Sequence, residues 1–333
     1  MTACIVGWAH GKFGKHEGRD VESLVVEAAR GALADAGVAA KDVDEIYLGT
    51  FNAGFVKQDF PASLVLQSDD ALRFKPATRV ENACATGSAA IYQGLNAIAA
   101  KKARLVLVVG VEKMTELSGA AVGEVLTKAS YLKEEGDHPS FAAIFGRIAE
   151  RYFQRYGDQS DALARIAAKN HANGAKNPLA HFQQDLGYEF CATVSDRNPI
   201  VAGPLRRTDC APVTDGAAAL VLADLDTALA MKKAVVFRAA RHVNDYLPMS
   251  RRDATRFEGA EVAWARAFAD ARLGLADLSL MEVHDCFTIA ELMIYEAIGL
   301  TPRGEGARAI REGWTEKGGL LPINPSGGLK SKG

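Results

Sequence analysis

The N-terminal part of the chain alternates apolar strand patterns with an amphipathic helix pattern, which predicts an α/β layout. ACIVGWA forms a short apolar strand, and DVESLVVEAARGALADAG carries apolar side chains at the spacing of one helical face, with Gly37 ending the helix. DEIYLGTF and TRVEN predict two further strands, followed by a helix over residues 85–100. RLVLVVGVE is apolar on both faces, which predicts a strand in the middle of a sheet.

The pattern changes between residues 118 and 209, where glycine, charged and aromatic residues become frequent. SFAAIFGRIAERYFQRY predicts a helix with an apolar and aromatic side, and the whole region is interpreted as an insertion into the sheet domain. DGAAALVLAD then predicts a return to a buried strand. AVVFRAARHV (234–243) is predicted to open a second α/β stretch.

That second stretch resembles the first at a fixed offset of 235 residues. ALADAGVAAKDVDEIYL (32–48) aligns without a gap with AFADARLGLADLSLMEV (267–283), with five identities and matching apolar positions. Together with the repeated strand and helix order, this alignment predicts a duplicated α/β unit.

The pattern divides the chain into three predicted regions. These are an N-terminal domain of residues 1–117 plus 210–232, an inserted domain of residues 118–209 and a C-terminal domain of residues 233–333. The last of these ends where the repeat requires a loop, a helix and further strands, so one sheet edge would stay uncovered. We therefore expect this sequence to be the N-terminal part of a longer protein.

Composition restricts the classes of function. The chain has 333 residues, of which 48% are hydrophobic and 24% are charged, which indicates a globular protein of about two domains. Its 39 Lys and Arg residues balance 41 Asp and Glu residues, and no basic block occurs, so nucleic acid and membrane surfaces are not expected partners. The N-terminus lacks a signal-peptide pattern and the longest apolar run is too short to cross a bilayer, which predicts a cytoplasmic protein.

Motifs for metals and nucleotides are absent from the sequence. The five cysteines are scattered without a CxxC pair and the seven histidines without HExxH, so neither a disulfide framework nor a metal site is expected. No GxGxxG follows a strand, and GGLKSKG is not a phosphate-binding P-loop. Neither a metal nor a tightly bound nucleotide cofactor is predicted.

Cys84 stands where a predicted strand gives way to the helix over residues 85–100. Unpaired backbone N–H groups and the helix dipole favour a thiolate at such a place, and a thiolate is a nucleophile. The small residues that follow would let a ligand approach the backbone. The alternative is that Cys84 is only a small buried core residue.

A second candidate is the motif MEVHDCFTIAEL, which places His284 and Cys286 at a strand end before another helix. Two residues apart on an extended segment, these side chains would point the same way, one able to hold a hydrogen bond and the other able to carry a proton. The alternative is a buried histidine bonded to the backbone beside a core cysteine.

Several segments resemble those of one enzyme family. NACATGSAAIYQGLNAIAAKKARLVLVVGVEKM is similar to the nucleophile loop and central helix of thiolases. SFAAIFGRIAERYFQRYG, KNHANGAKNPLAHFQ, CAPVTDGAAALVLAD, VHDCF and NPSGGLKSKG resemble, in this order, segments of the SCP2-type thiolases. The resemblance implies a thiolase fold, two βαβαβαββ domains in a five-layered α/β/α/β/α arrangement with the second copy incomplete here, which assembles as a homodimer or homotetramer.

The resemblance also implies chemistry on coenzyme A thioesters as substrates, without a permanently bound cofactor. Cys84 matches the nucleophile that accepts the acyl group. His284 stands where other thiolases have the Asn of NEAF, which positions a water near the thioester oxygen, and Cys286 matches the acid/base cysteine of Claisen condensation. Arg206 and Arg207 are candidates for binding phosphates of coenzyme A.

One departure from the family pattern leaves alternatives open. In the family, NPSGGLKSKG continues into GHP, whose histidine activates the nucleophile, and the sequence here ends at Gly333. The leading interpretation is an acetyl-CoA acyltransferase. The alternatives are a thiolase-fold ketosynthase or a lyase of acyl-CoA side chains, or a non-catalytic acyl-CoA-binding subunit of a complex.

Overall fold

The computed structural model describes residues 3–333. The strands are Ala3–His10 (β1), Glu45–Gly49 (β2), Ala77–Val80 (β3), Leu105–Glu112 (β4), Ile200–Ala202 (β5), Leu205–Arg206 (β6), Gly216–Asp224 (β7) and Val235–Val236 (β8). The α-helices are Val21–Ala36 (α1), Thr86–Ala99 (α2), Gly119–Thr127 (α3), Leu132–Glu135 (α4), Phe141–Tyr156 (α5), Ser160–Gly174 (α6), Gly187–Ala192 (α7), Leu225–Leu229 (α8), Glu258–Ala271 (α9), Thr288–Ala297 (α10), Gly306–Arg311 (α11) and Gly328–Ser331 (α12).

Internal contacts divide the chain into two compact units. The first contains the residues up to Leu117 together with Thr214–His242, and the second contains Ser118–Val213 together with Val243–Gly333. The region predicted as an insertion therefore shares a unit with the C-terminal region, because α5 packs there: Phe145 stacks on Phe287 with ring centroids 4.4 Å apart. The division into three domains remains a prediction from the sequence.

A six-stranded mixed sheet forms the centre of the first unit, in the order β3-β2-β4-β7-β1-β8. Strand β2 is parallel to β3 and β4, whereas β7 runs antiparallel to β4 and β1. Leu105, Leu107 and Val109 of β4 join the core that contains α1, and Val106 and Val108 join the core that contains α2. The prediction that β4 is a central strand is confirmed, since its alternate residues enter two different apolar cores.

Helix α1 begins and ends where its sequence predicts. The Asp20 carboxylate accepts a hydrogen bond of 2.9 Å from the Ser23 N–H, which satisfies one free donor of the first turn. Gly37 follows the last turn with φ of 67°, a left-handed conformation that glycine adopts without strain. The apolar stripe between these caps is buried against the sheet.

The prediction for residues 234–243 is wrong. Only Val235 and Val236 form a strand, and this strand pairs with Cys4 and Ile5 of β1 at the edge of the first sheet instead of opening a second one. Both valines are exposed, so burial does not extend the strand, and no helix or strand follows before residue 249 in the described chain.

Helices α5, α6 and α10 build the core of the second unit around the buried rings of Tyr152 and Tyr295. The sequence repeat has a counterpart here. Met281 forms a parallel bridge with Ile323, and Met281 lies one repeat offset beyond Ile46 of β2, which pairs in parallel with β3. None of the helices described in residues 3–333 is both long and apolar enough to cross a bilayer.

Candidate active site

Cys84 lies in a single 3₁₀ turn, Ala83–Ala85, between β3 and α2. Its side chain is exposed, and helix α2 begins two residues later, which confirms the predicted helix within one residue at each end. Ala83 has φ of 45°, in the left-handed region that residues with a Cβ rarely enter. Because such strained residues cluster at functional sites, the left-handed conformation of Ala83 supports a role for Cys84 beyond packing.

The side chain of Thr86 stabilises the turn Ala83–Ala85. Its hydroxyl accepts a 2.7 Å hydrogen bond from the Asn82 N–H and donates one of 2.7 Å to the Ala83 carbonyl. Gly49, the last residue of β2, lies so close to Thr86 that a Cβ at Gly49 would come within 2.8 Å of the threonine methyl. The strained turn is therefore fixed from one side by a hydroxyl and from the other by the end of a strand.

We expect Thr86→Val to destabilise the first unit by about 1–3 kcal/mol, because valine keeps the volume of threonine and leaves one N–H and one carbonyl without their partner. The loss is read from the midpoint of urea unfolding with the slope unchanged. Thr86→Ser is the matched control, since serine retains the hydroxyl. Equal destabilisation by both variants would show that the methyl group matters and the hydrogen bonds do not.

The environment of Cys84 does not favour the thiolate that the sequence predicts. Dense packing of protein around the turn raises the pKa of the Cys84 thiol to about 11, although the side chain keeps contact with solvent. A hydrogen bond from its own backbone N–H lowers this pKa, and the negative charge of Glu112 raises it further. The thiol is protonated at neutral pH, so a base has to remove its proton before it attacks a substrate.

His284 lies on the segment between the Met281 bridge and helix α10. Its side chain is exposed at the surface of the second unit, yet protein packed around the ring lowers the pKa of His284 to about 4. The imidazole is therefore neutral at pH 7, with one nitrogen that donates and one that accepts a hydrogen bond. A neutral ring is able to orient a water or a carbonyl group without adding charge.

Cys286 is buried, with 7% of its surface exposed, in the apolar core of the second unit beside Phe287. Its backbone carbonyl accepts a 2.9 Å hydrogen bond from the Ala211 N–H. His284 is exposed and Cys286 is not, which differs from the common direction expected for alternate residues of an extended segment. The difference follows from the lack of regular strand structure between residues 282 and 286.

Asp285, between these two candidates, is fully buried and binds the start of α12. Its carboxylate accepts hydrogen bonds of 2.7 Å from the Leu329 N–H, 3.2 Å from the Lys330 N–H and 2.7 Å from the Asn170 side chain. Gly328 approaches so closely that a Cβ there would lie 2.3 Å from a carboxylate oxygen. Asp285 therefore fixes the VHDCF motif to the NPSGGLKSKG motif within the second unit.

A second buried carboxylate, Glu291 of α10, continues this network. It accepts hydrogen bonds from the side chains of Lys169 (2.7 Å), Asn170 (2.6 Å) and Asn324 (2.9 Å). Burial, and then the negative charge of Glu291, raise the pKa of Asp285 to about 7. The two acids share Asn170 as a donor, so helices α6 and α10 and the C-terminal motif form one polar unit.

The expectations that Arg206 and Arg207 bind phosphates both remain predictions, but the surroundings of the two residues differ. Arg206 is 3% exposed and forms an ion pair of 2.9 Å with Asp209, and its guanidinium also donates to the carbonyls of Ala192 and Ser160. All of these contacts lie within the second unit, so they favour a structural role for Arg206. Arg207 is exposed.

Sequence reasoning missed the polar residues that support the candidates. Glu112 and Asn170 are not predicted from the sequence, and Thr86 and Asp285 are noticed only as parts of the two motifs, without a role of their own. A charged residue at the end of an otherwise apolar strand was the available signal for Glu112. Among residues 3–333, no group of three or more His, Cys, Asp or Glu side chains is arranged to hold a metal ion.

Comparison with protein families gives a match over nearly the whole chain. The family described as thiolase, N-terminal domain, matches residues 3–226, and the family described as thiolase C-terminal domain-like matches residues 240–333. The chain belongs to the thiolase superfamily. The resemblance found in the sequence motifs is thereby confirmed, including its SCP2-type character.

Individual relatives agree with this assignment. The thiolase is 36% identical to an acetyl-CoA acetyltransferase of Methanothermobacter thermautotrophicus, over 99% of this chain and 85% of the relative. It is 31% identical to sterol carrier protein 2 of Oryctolagus cuniculus, over 99% of this chain and 62% of the relative. The solved structure named Ltp2-ChsH2(DUF35) aldolase superposes with a TM-score of 0.85 at 23% identity, covering 99% of this chain and 85% of that one. This superposition confirms the thiolase fold.

Proposed function

We propose that this thiolase transfers acyl groups between coenzyme A thioesters through Cys84, in a two-step exchange that cleaves or forms 3-oxoacyl-CoA. The observation that carries the proposal is the exposed thiol of Cys84 at a left-handed backbone turn directly before a helix. A thiol in that position can be reached by a thioester, and the backbone N–H groups at the helix start can face the oxygen of the reacting carbonyl.

In the condensing direction, the first step forms an acetyl-enzyme. The deprotonated sulfur of Cys84 bonds to the carbonyl carbon of acetyl-CoA, the carbon–sulfur bond to coenzyme A breaks, and coenzyme A leaves as a thiol after taking up a proton. The backbone N–H of Cys84 donates to the oxyanion that develops. In the family, a histidine that follows the NPSGGLKSKG motif removes the proton of the nucleophile.

The second step forms the new carbon–carbon bond. A base removes a proton from the methyl group of a second acetyl-CoA, the resulting carbanion attacks the acetyl-enzyme carbonyl, and Cys84 leaves as a thiolate that is then protonated. Cys286 is the proposed base. The neutral ring of His284 suits the proposed role of holding a water at the thioester oxygen, since it donates and accepts without a charge.

The substrates proposed for the thiolase are coenzyme A thioesters, with no permanently bound cofactor. Arg207 remains a candidate contact for a phosphate of coenzyme A, because its side chain is exposed next to the buried pair of Arg206 and Asp209. Assembly as a homodimer or homotetramer is part of the same proposal and is measured by light scattering of the purified protein.

Incubation of the full-length protein with acetyl-CoA tests the acyl-transfer proposal. We expect the peptide that contains Cys84 to gain the mass of one acetyl group, and the adduct to disappear when free coenzyme A is added. Reversible binding of acetyl-CoA without an adduct would instead support a non-catalytic acyl-CoA-binding subunit. Modification of a different cysteine would contradict the role proposed for Cys84.

A second candidate function is carbon–carbon cleavage without an acyl-enzyme, as in a lyase of acyl-CoA side chains. The observation in its favour is the structural likeness to the protein named Ltp2-ChsH2(DUF35) aldolase. The retained Cys84 favours acyl transfer over this lyase chemistry, and the family lyases resemble thiolases without that nucleophile. An aldol-type product formed from an acyl-CoA by a variant lacking Cys84 would favour the lyase.

A further inference from the structure

Most of the backbone N–H groups in the turn that carries Cys84 already have partners inside the turn. Their acceptors are the Glu81 carboxylate for Ala83 (2.6 Å), the Asn82 carbonyl for Ala85 (3.0 Å) and the Ala83 carbonyl for Thr86. Among residues 3–333, the N–H of Cys84 has no partner except its own sulfur. This N–H is therefore the donor of the turn that a substrate carbonyl can use.

Asn82 contacts the turn on both sides of Cys84. Its backbone N–H donates to the Thr86 hydroxyl at 2.7 Å, and its carbonyl accepts from the Ala85 N–H. Ala83, which follows Asn82, has φ of 45°, so the backbone here is strained and keeps its shape only through its surroundings. A rotation of the Asn82 backbone would therefore turn the Cys84 N–H away from its present direction.

The side chain of Asn82 is held by a residue that is distant in sequence. Its amide nitrogen lies 3.1 Å from Nε2 of His242, and in this contact the amide donates to an Nε2 that carries no proton. The His242 ring stands edge-on to Tyr92, with ring centroids 5.5 Å apart and an interplanar angle of 88°. Tyr92 lies in the second turn of α2, and all three residues belong to the first unit. His242 thus connects the residue before the turn to the helix after it.

We propose that His242 is a positioning residue for acyl transfer: through Asn82 it fixes the direction in which the Cys84 N–H points at the thioester oxygen. The inference rests on the proposed function. A donor stabilises the developing oxyanion most when it is aimed before the reaction begins, because no reorganisation is then needed in the transition state. In this role His242 acts through Asn82 and takes no part in the chemical step.

Two reactions at Cys84 separate this role from a change in the thiol itself. Acylation by acetyl-CoA passes through an oxyanion, whereas alkylation by iodoacetamide displaces iodide at a saturated carbon and forms none. Both rates are followed in the full-length protein by mass spectrometry of the Cys84 peptide. His242→Phe keeps a ring against Tyr92 and removes the acceptor for Asn82. We expect it to slow acylation about three- to tenfold at saturating acetyl-CoA and to leave alkylation unchanged.

Further variants test the contact between the two side chains. The side-chain carbonyl of His242→Gln can accept from the Asn82 amide, so we expect this variant to recover at least about half of the acylation rate. Asn82→Ala should slow acylation as much as His242→Phe, and the double variant should be no slower than either. Tyr47→Phe is the matched control, since it removes one hydroxyl hydrogen bond of 2.6 Å, to Glu45, from the first unit. We expect both of its rates to equal those of the wild type.

Unchanged acylation in His242→Phe would overturn the proposal. Equal slowing of acylation and alkylation would overturn it as well, because His242 would then act on the thiol. If Asn82→Ala does not fold, the Phe and Gln variants of His242 decide the question, since this side chain is exposed. A wild type that is alkylated at Cys84 but never acetylated would refute the acyl-transfer function together with this role. Acetylation at a rate independent of His242 would refute only the role of His242.

Discussion

Cys84→Ala is expected to reduce acyl exchange between acetyl-CoA and coenzyme A by about 10⁴-fold or more, because a nucleophile that forms the covalent intermediate cannot be bypassed within the same mechanism. The thiol is exposed and lies before the helix, so its loss should change the free energy of unfolding by less than about 0.5 kcal/mol. The measurement is the rate of label exchange between the two substrates at saturating concentrations, alongside thermal unfolding of the same preparation.

The control for this prediction is Cys4→Ala, which removes a fully buried thiol from the first unit and leaves Cys84 intact. We expect this variant to lose stability through a small cavity and to keep its exchange rate at temperatures where it is folded. Undiminished exchange in Cys84→Ala would exclude acyl transfer through this residue. An equal loss in both variants would point to a general effect of unfolding.

Gly328→Ala is expected to destabilise the second unit by about 3–5 kcal/mol. The residue has φ of 59°, and a left-handed conformation costs a residue with a Cβ about 1–2 kcal/mol. The added Cβ would also lie 2.3 Å from an oxygen of Asp285, whose buried carboxylate is held by three donors and cannot move aside without breaking those hydrogen bonds. Denaturant unfolding with the slope unchanged measures the loss.

Gly299→Ala separates the two contributions. Gly299 follows α10 with φ of 78°, and no heavy atom of the described residues beyond its chain neighbours lies within 4 Å of the position of an added Cβ. The control therefore includes only the conformational cost of about 1–2 kcal/mol. If both variants lose the same stability, the close approach of Gly328 to Asp285 adds nothing to the cost. The Asp285 carboxylate would then be able to move aside without a loss of stability.

The fold of the first unit could be predicted where local pattern and tertiary packing agree. Strand β4 has apolar side chains on both of its faces. Helix α1 shows its apolar stripe and both caps in the sequence. Each element was therefore predicted to within a few residues. Residues 234–243 begin with an apolar run, but the sheet in which they form a strand depends on a partner distant in sequence. Val235 and Val236 pair with the free edge of β1, and nothing within the segment indicates which edge will be open.

The sequence predicts those features of the candidate site that lie within a single motif. The position of Cys84 before a helix follows from the change of pattern at residue 84. Its raised pKa depends first on the packing of protein around the turn, which the local sequence does not show. Arg206 was proposed as a phosphate contact because a basic residue in a loop is usually exposed, and the structure buries it. Asp209, three residues later, was the local signal of an internal ion pair.

The position of β7 has a consequence for the order in which the protein takes shape on the ribosome. Strand β7 separates β4 from β1 in the sheet, and about a hundred residues lie between β4 and β7 along the chain. At bacterial or eukaryotic rates of translation this interval lasts on the order of ten seconds. During that time β1 and β4 each present an unpaired edge to the cell, so a nascent chain stalled before residue 216 should depend on chaperones more than one released after residue 224.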